Sequence, residues 1–296
     1  METPSRKLDV DQLQHRLDTV FFGIGKRLVY LPTIDSTNTF AMKLAREGSE
    51  EGMVVLTDSQ TAGKGRLGRR WVDISGRNAI SSTVLRPIFP PYLLVMIASL
   101  AVVDGIAETC GVAASIKWPN DILIGTHKVA GILIETSYDL TGRLVAILGI
   151  GVNVNGHITQ LIGNESEAPG TAHEELQSLI TAATTLETEC GHLVSREIFI
   201  AHLLRHLETS YLALRQEAQS SGTGASGSAS RLMRERWRNH LSTLGRIIQV
   251  RQGDAILSGV AEDVNETGEL LLRLHSGERV SITWGDVWHV PEPQQS

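Results

Sequence analysis

Only two cysteines, Cys110 and Cys190, occur in 296 residues. That is too few for a disulfide framework, and neither lies in a metal-ligand spacing. Both fall in segments of helical pattern and read as small apolar residues. A positive balance is missing as well. The formal net charge is −6, whereas a chain whose main task is to hold nucleic acid is usually basic. The apolar run Tyr92–Val103 is too short to cross a bilayer, which takes about 20 residues. Met1–Val10 has no apolar core of signal-peptide length, so the expected location is the cytoplasm, with no membrane partner. No internal repeat is apparent. What is present suits a globular protein: 42% of residues are hydrophobic, and the length allows one large domain and one small one.

The most informative stretch is Gly63-Lys64-Gly65-Arg66-Leu67-Gly68-Arg69-Arg70-Trp71. It follows the apolar run Met53–Leu56, which reads as a buried strand. Its glycines let a backbone approach a ligand closely. Its cations supply charge for an anion, and Trp71 offers a flat face for a ring. The combination suggests a loop that closes over a phosphate-bearing nucleotide or an acyl-phosphate intermediate. Gly63, Gly65 and Gly68 also fit G-x-G-x-x-G, but no helix follows and the dinucleotide fingerprint lacks its context. The nucleotide-triphosphatase phosphate loop fails too, since no Gly-Lys-Ser/Thr follows its spacer.

Around this loop the pattern alternates between strands and helices. Asp9–Val20 carries a helical apolar stripe, and Leu28–Leu31 reads as a strand. Asp35 or Ser36 is placed to cap a helix over Asn38–Glu47, and hydroxyls and amides at such an N-terminus suit a polar or anionic group. Gly52–Gln60 leads into the basic loop. Ala79–Leu85 alternates little and should be buried on both faces. Tyr92–Cys110 is apolar nearly all round, which predicts a buried helix ended by Gly111. Lys117-Trp118-Pro119-Asn120-Asp121 predicts a β-turn that places polar groups between strands. Lys128–Glu135 is a strand that starts on a lysine following that turn. Gly149 and Gly151 inside the strand Val145–Val154 mark close approach of a ligand or of backbone.

Leu176–Leu214 turns helical, Ser220–Ser230 is a low-complexity mobile loop, and Arg231–Leu241 resumes as helix. Ile247–Val250, Ala255–Val260, Leu270–Leu274 and Val280–Ile282 then predict a small antiparallel barrel.

Taken together, Asp35-Ser36-Thr37-Asn38, the segment Gln60–Arg69, Lys117–Asp121, Lys128–Glu135 and Gly149–Asn153 resemble, in order and at about the right spacing, the biotin protein ligases, or biotin–[acetyl-CoA-carboxylase] ligases. Ala183–Leu186 and the stretch from Leu244 through Val287 look like later blocks of that family. The resemblance implies an α+β fold: a mixed-sheet, class II aminoacyl-tRNA-synthetase-like biotin/lipoate ligase domain over residues 1–243, then a small SH3-like β-barrel over 244–296. It implies a two-step reaction. Biotin and MgATP give biotinoyl-5′-AMP and pyrophosphate, and a lysine of biotin carboxyl carrier protein then takes the biotinoyl group and releases AMP.

Carried over by position, Arg66 and Lys128 are the catalytic cations. Ser36, Thr37, Asn38, Gln60, Lys64, Gly65, Arg66, Lys128, Gly131 and Gly151 would bind biotin. Lys64, Arg66, Arg69, Trp71, Lys117, Asn120, Lys128 and Asn153 would bind ATP and the adenylate, with Asp121 toward Mg²⁺. The pairing of acid and triphosphate agrees with this, because two anions approach one another only where cations offset their charge.

The sequence departs from the family's pattern at position 64, which is Lys where many members have Arg. A lysine keeps the charge but cannot make the bidentate fork to phosphate, so altered retention of the adenylate is expected. Too few residues precede Asp35 for a helix-turn-helix domain with its linker, which predicts a ligase without DNA binding, either monomeric or homodimeric. The competing expectations are a lipoate or octanoate ligase of related fold and a non-catalytic biotin sensor.

Overall fold

The computed structural model describes residues 7–139, 141–159, 182–221 and 226–289. Its centre is a seven-stranded mixed sheet made of β1 (Leu28–Ile34), β2 (Val54–Gln60), β3 (Ala79–Leu85), β4 (Ser115–Lys117), β5 (Asp121–Ile124), β6 (His127–Tyr138) and β7 (Leu144–Val152), in the order β1-β2-β3-β7-β6-β5-β4. β1 and β2 are parallel, and the remaining neighbours are antiparallel.

One face of the sheet is covered by α3 (Tyr92–Cys110), which packs against α5 (Arg196–Ser221) and α6 (Ser228–Asn239). The other carries α2 (Thr37–Arg46), with Ala41 and Ala45 on Val55, Val84, Val145 and Ile147. β3 lies between the two layers and is buried at every residue, as its unalternating sequence predicts. α3 has the predicted bounds and ends on Gly111 at φ 67°. At 19 residues it is long and apolar enough to cross a membrane, but 67% of its most apolar window is buried in the core. That burial explains an apolar helix with no polar face.

Several boundaries differ from expectation for identifiable reasons. α1 spans Val10–Arg16 with Asp9 accepting from the Gln12 amide, and it stops well before Val20. The amides of Val20, Phe21 and Phe22 are instead bound by the buried Glu208 carboxylate of α5 at 2.7, 2.8 and 2.6 Å. A carboxylate that accepts three amides competes successfully with a further helical turn. Ser36 stands at the N-cap of α2 but its side chain caps nothing; Asp35 accepts from the Ser36 amide instead.

The helical stretch expected from Leu176 lies outside the described residues as far as position 181. Beyond it, a short α4 (Leu186–Cys190) and α5 are separated at Gly191, φ 76°. The expected loop Ser220–Ser230 is shorter than predicted: α5 runs to Ser221 and α6 starts at Ser228. The Glu217 carboxylate accepts from the amides of Gly227, Ala229 and Ser230 and so supplies a cap from the preceding helix; residues 222–225 lie outside the described residues.

After α6, β8 (Ile247–Gln252), β9 (Ala255–Val264), β10 (Leu270–Leu274), β11 (Arg279–Ile282) and β12 (Asp286–His289) form an antiparallel sheet in the order β11-β10-β9-β8-β12. β12 is a strand beyond the four that the sequence pattern predicts. The two sheets are joined just after β4. The Trp118 amide donates to Thr243 Oγ1 at 3.0 Å, and the Trp118 indole donates to the Gly268 carbonyl at 2.9 Å.

Candidate active site

The basic loop returns on itself above the sheet. Lys64 and Arg70 form an antiparallel bridge, the Gly65 amide donates to the Arg69 carbonyl at 2.7 Å, and the Trp71 amide donates to the Gly63 carbonyl at 3.0 Å. At its tip Leu67 takes a left-handed conformation, φ 56°, which costs energy for a residue with a Cβ.

The fold explains where Trp71 goes. Gly131 of β6 and Gly151 of β7 are cross-strand partners. A Cβ at Gly131 would lie 3.1 Å from the indole, and one at Gly151 only 2.6 Å from it. The glycine pair is therefore a slot into which the loop's tryptophan fits. Its Nε1 has no hydrogen-bond partner among the described residues.

Two cavities share this ring as part of their lining. The first is lined by Ser36, Thr37, Asn38, Gln60, Lys64, Gly65, Arg66, Lys128, Gly131 and Gly151, which is the whole set assigned to biotin by resemblance, together with Trp71, Asn120 and apolar residues such as Ile80 and Ile132. Its floor is a hydrogen-bonded array. Gln60 Oε1 accepts from the Thr37 amide at 2.9 Å and lies 3.2 Å from its hydroxyl. The buried Ser82 hydroxyl donates to Asn38 Oδ1 at 2.6 Å and lies 2.7 Å from Thr37 Oγ1. Asn38 Nδ2 donates to Glu135 Oε2 at 2.8 Å. Gly149 is required here by packing, since a Cβ would come within 2.2 Å of Asn38 Oδ1.

The second cavity, about 200 Å³, is lined by Arg66, Arg69, Trp71, Lys117, Asn120, Lys128 and Asn153, and also by Asp121 and by Gly285, Asp286, Val287 and Trp288 of the C-terminal sheet. Of the residues assigned to ATP and the adenylate only Lys64 is absent; it points to Glu135, with Nζ 3.4 Å from Oε1.

Five residues line both cavities: Gly65, Arg66, Trp71, Asn120 and Lys128. The cations at this seam are held differently. Lys128 Nζ sits 2.6 Å from Asp121 Oδ1 and 5.9 Å from the Trp71 ring centre. Arg69 is bound by Asp286. Arg66 donates to the neutral Asn120 Oδ1 at 2.7 Å and has no carboxylate within ion-pair distance among the described residues. Burial pushes its guanidinium below the ordinary arginine value, while Asp121 and Asp286 pull the other way. Burial likewise lowers the Lys117 ammonium. A half-buried cation without a counter-ion is a binding element for an anion that arrives from outside.

The backbone of Lys128 is fixed by the segment before α4: its amide donates to the Ala182 carbonyl at 2.7 Å and its carbonyl accepts from Thr184 at 2.9 Å. Asn153 Nδ2 binds the Thr184 carbonyl at 3.1 Å, so Asn153 both lines the cavity and holds that segment. Trp118-Pro119 is a cis peptide, and Asn120 in the predicted turn lines both cavities.

Sequence reasoning missed Ser82, Glu135 as a site residue, and Asp286. Glu135 carried a signal, an acid inside an apolar strand. Asp286 carried one only in hindsight, and Ser82 none beyond being polar in a buried strand.

The description of the family model matching residues 30–155 is biotin/lipoate A/B protein ligase family, and that of the model matching 243–290 is biotin protein ligase C terminal domain. The bifunctional ligase/repressor BirA of Bacillus subtilis is 31% identical over 274 residues, which cover 92% of this chain and 76% of that protein. A biotin–[acetyl-CoA-carboxylase] ligase of Paracoccus denitrificans is 35% identical over 255 residues, covering 84% and 95%. Among solved structures, the biotin protein ligase from Aquifex aeolicus in complex with biotin and ATP superposes with a TM-score of 0.69 at 24% identity, covering 90% of this chain and all of that one.

Proposed function

The chain belongs to the biotin/lipoate A/B protein ligase family, and from that premise we propose that it is an ATP-dependent ligase that activates biotin as biotinoyl-5′-AMP and transfers it to a lysine of a biotin carboxyl carrier protein. The observation that carries this reading is the seam: two cavities that meet at Arg66, Lys128, Asn120 and Trp71. An acid in the first and a nucleotide in the second would bring a carboxylate and an α-phosphate together at the two cations.

In the first step a biotin carboxylate oxygen attacks the α-phosphorus, a P–O bond to pyrophosphate breaks, and charge on the non-bridging oxygens is stabilised by Arg66 and Lys128. In the second a carrier lysine attacks the acyl carbon of the mixed anhydride, AMP leaves with the electron pair, and the lysine nitrogen loses a proton. No covalent enzyme intermediate is needed. The loop from Gly63 to Trp71 covers the anhydride and keeps water from hydrolysing it.

Thr37, Asn38, Ser36 and Gln60 form the polar end of the acid pocket, and Lys117, Asn120, Asn153 and Trp71 serve the nucleotide. Mg²⁺ enters as part of the MgATP substrate. Asp121 is committed to Lys128 at 2.6 Å. Asp121 therefore fits the orientation of Lys128 better than a dedicated cation site. Residues 1–243 act as the synthetase-like catalytic domain and 244–296 as the SH3-like domain, which closes the nucleotide side through Asp286 and Trp288.

The test is biotin-dependent exchange of labelled pyrophosphate into ATP, with lipoate and octanoate run alongside. Exchange with biotin alone is expected. Exchange with a fatty acid would move the assignment to the lipoate branch, and tight biotin binding with no exchange would make the protein a sensor.

A further inference from the structure

One carboxylate in the molecule faces two ways. Glu135 sits on β6 opposite Ile147 of β7, beside the acid pocket, and lines neither of the two cavities. Its Oε2 accepts from Asn38 Nδ2 at 2.8 Å and its Oε1 lies 3.4 Å from Lys64 Nζ. Asn38 is the floor of the acid pocket, and its other amide atom is already used by Ser82 at 2.6 Å. Lys64 belongs to the loop that covers the same pocket. The two contacts come from different parts of the chain and meet on one side chain.

We propose that Glu135 is a positioning residue that ties the loop to the pocket floor through Lys64, and that this tether sets how long the adenylate stays. The proposal rests on the ligase reading above. Lys64 offers a single point charge, which suits a tether to one carboxylate oxygen better than a bidentate grip on phosphate. Its Nζ is absent from the nucleotide cavity, consistent with that division of labour. Two of the other loop cations have different partners, Asn120 for Arg66 and Asp286 for Arg69. The pair is partly exposed, with side chains 45% and 34% accessible, so its effect is moderate and screened by salt.

Glu135→Gln separates the two contacts. A glutamine carbonyl still accepts from Asn38, but the charge opposite Lys64 is gone. The measurement is the release rate of preformed biotinoyl-AMP, with the biotin KM and kcat for pyrophosphate exchange measured in parallel. The expected result is release faster by roughly two- to fivefold at low salt, a biotin KM within about twofold of wild type because the Asn38 contact is kept, and a difference that shrinks as salt rises. Glu135→Ala, which removes both contacts, should raise the biotin KM as well.

Release at the wild-type rate in Glu135→Gln, or an acceleration that persists undiminished in a Lys64→Met background, overturns the tether. Failure of the wild-type protein to form biotinoyl-AMP at all overturns the ligase reading, and this inference with it; formation with unchanged release in the variant overturns the tether alone.

Discussion

Replacing Gly151 by alanine should open the loop without unfolding the protein. A Cβ at this position would lie 2.6 Å from Trp71 Cε2 and 2.7 Å from Cζ2, whereas carbon atoms in contact rest at about 3.5–4.0 Å. Something must move by about 1 Å. The strand is the stiffer side, since Gly151 is paired with Ile80 on β3 and with Gly131 on β6. The indole is the mobile one, carried by a loop whose tip residue Leu67 is 55% exposed. Overpacking of this size costs about 1–3 kcal/mol. If the loop absorbs all of it, the closed form falls by about fivefold to about 150-fold, at tenfold per 1.36 kcal/mol.

Biotin-dependent pyrophosphate exchange should lose kcat/KM by that factor, while the melting temperature moves by no more than about 2 °C, because a cost absorbed by the loop leaves the folded core intact. The control is the double variant: with Trp71→Ala present, Gly151→Ala should cost little more. Wild-type kinetics in Gly151→Ala, or an equal loss with and without Trp71, would show that the glycine does not serve the tryptophan.

Other consequences are as direct. Lys128→Ala should lower pyrophosphate exchange by about 10²–10³-fold with little change in stability, and near-normal pyrophosphate release would remove Lys128 from the first step. Arg66→Ala should keep the fold and release biotinoyl-AMP faster than wild type; an unchanged rate in a stopped-flow measurement refutes its role at the seam. Glu208→Ala leaves three amides near the N-terminus without their acceptor and should destabilise by about 3 kcal/mol in urea unfolding, with a loss below about 1 kcal/mol showing that water replaces the carboxylate.

His289 is pushed down to about 4 by burial and by the nearby Lys117 and Arg246 cations, against about 6.5 when unfolded. The unfolded chain therefore binds more protons between these values. The contribution of His289 to stability is complete above about pH 6.5 and is lost as pH falls toward 4. His289→Gln should flatten the melting temperature over that window, and an identical profile would contradict the assignment.

Elements whose cause is local are legible in the chain. A mostly apolar stretch too long for one strand suits a buried helix, and Tyr92–Cys110 is one, with Gly111 left-handed at its end. Glycines beside cations after a strand specify a loop that turns tightly and attracts anions, and the segment from Gly63 to Trp71 does the first and has the charge for the second. The grouping of Ser36, Thr37, Asn38, Gln60, Lys128 and Gly151 around one cavity is what the resemblance to the biotin protein ligases implied.

Which groups face one another depends on how the elements pack. Lys64 meets Glu135 across 71 residues and Arg69 meets Asp286 across 217. Ser82 joins Thr37 and Asn38 only because β3 lies under the start of α2. The end of α1 was set by a carboxylate 186–188 residues away. Periodicity tells which face of a strand or helix a side chain occupies, but the neighbour across that face depends on sheet order and register. Those are fixed by the burial of the whole core and not by any local segment.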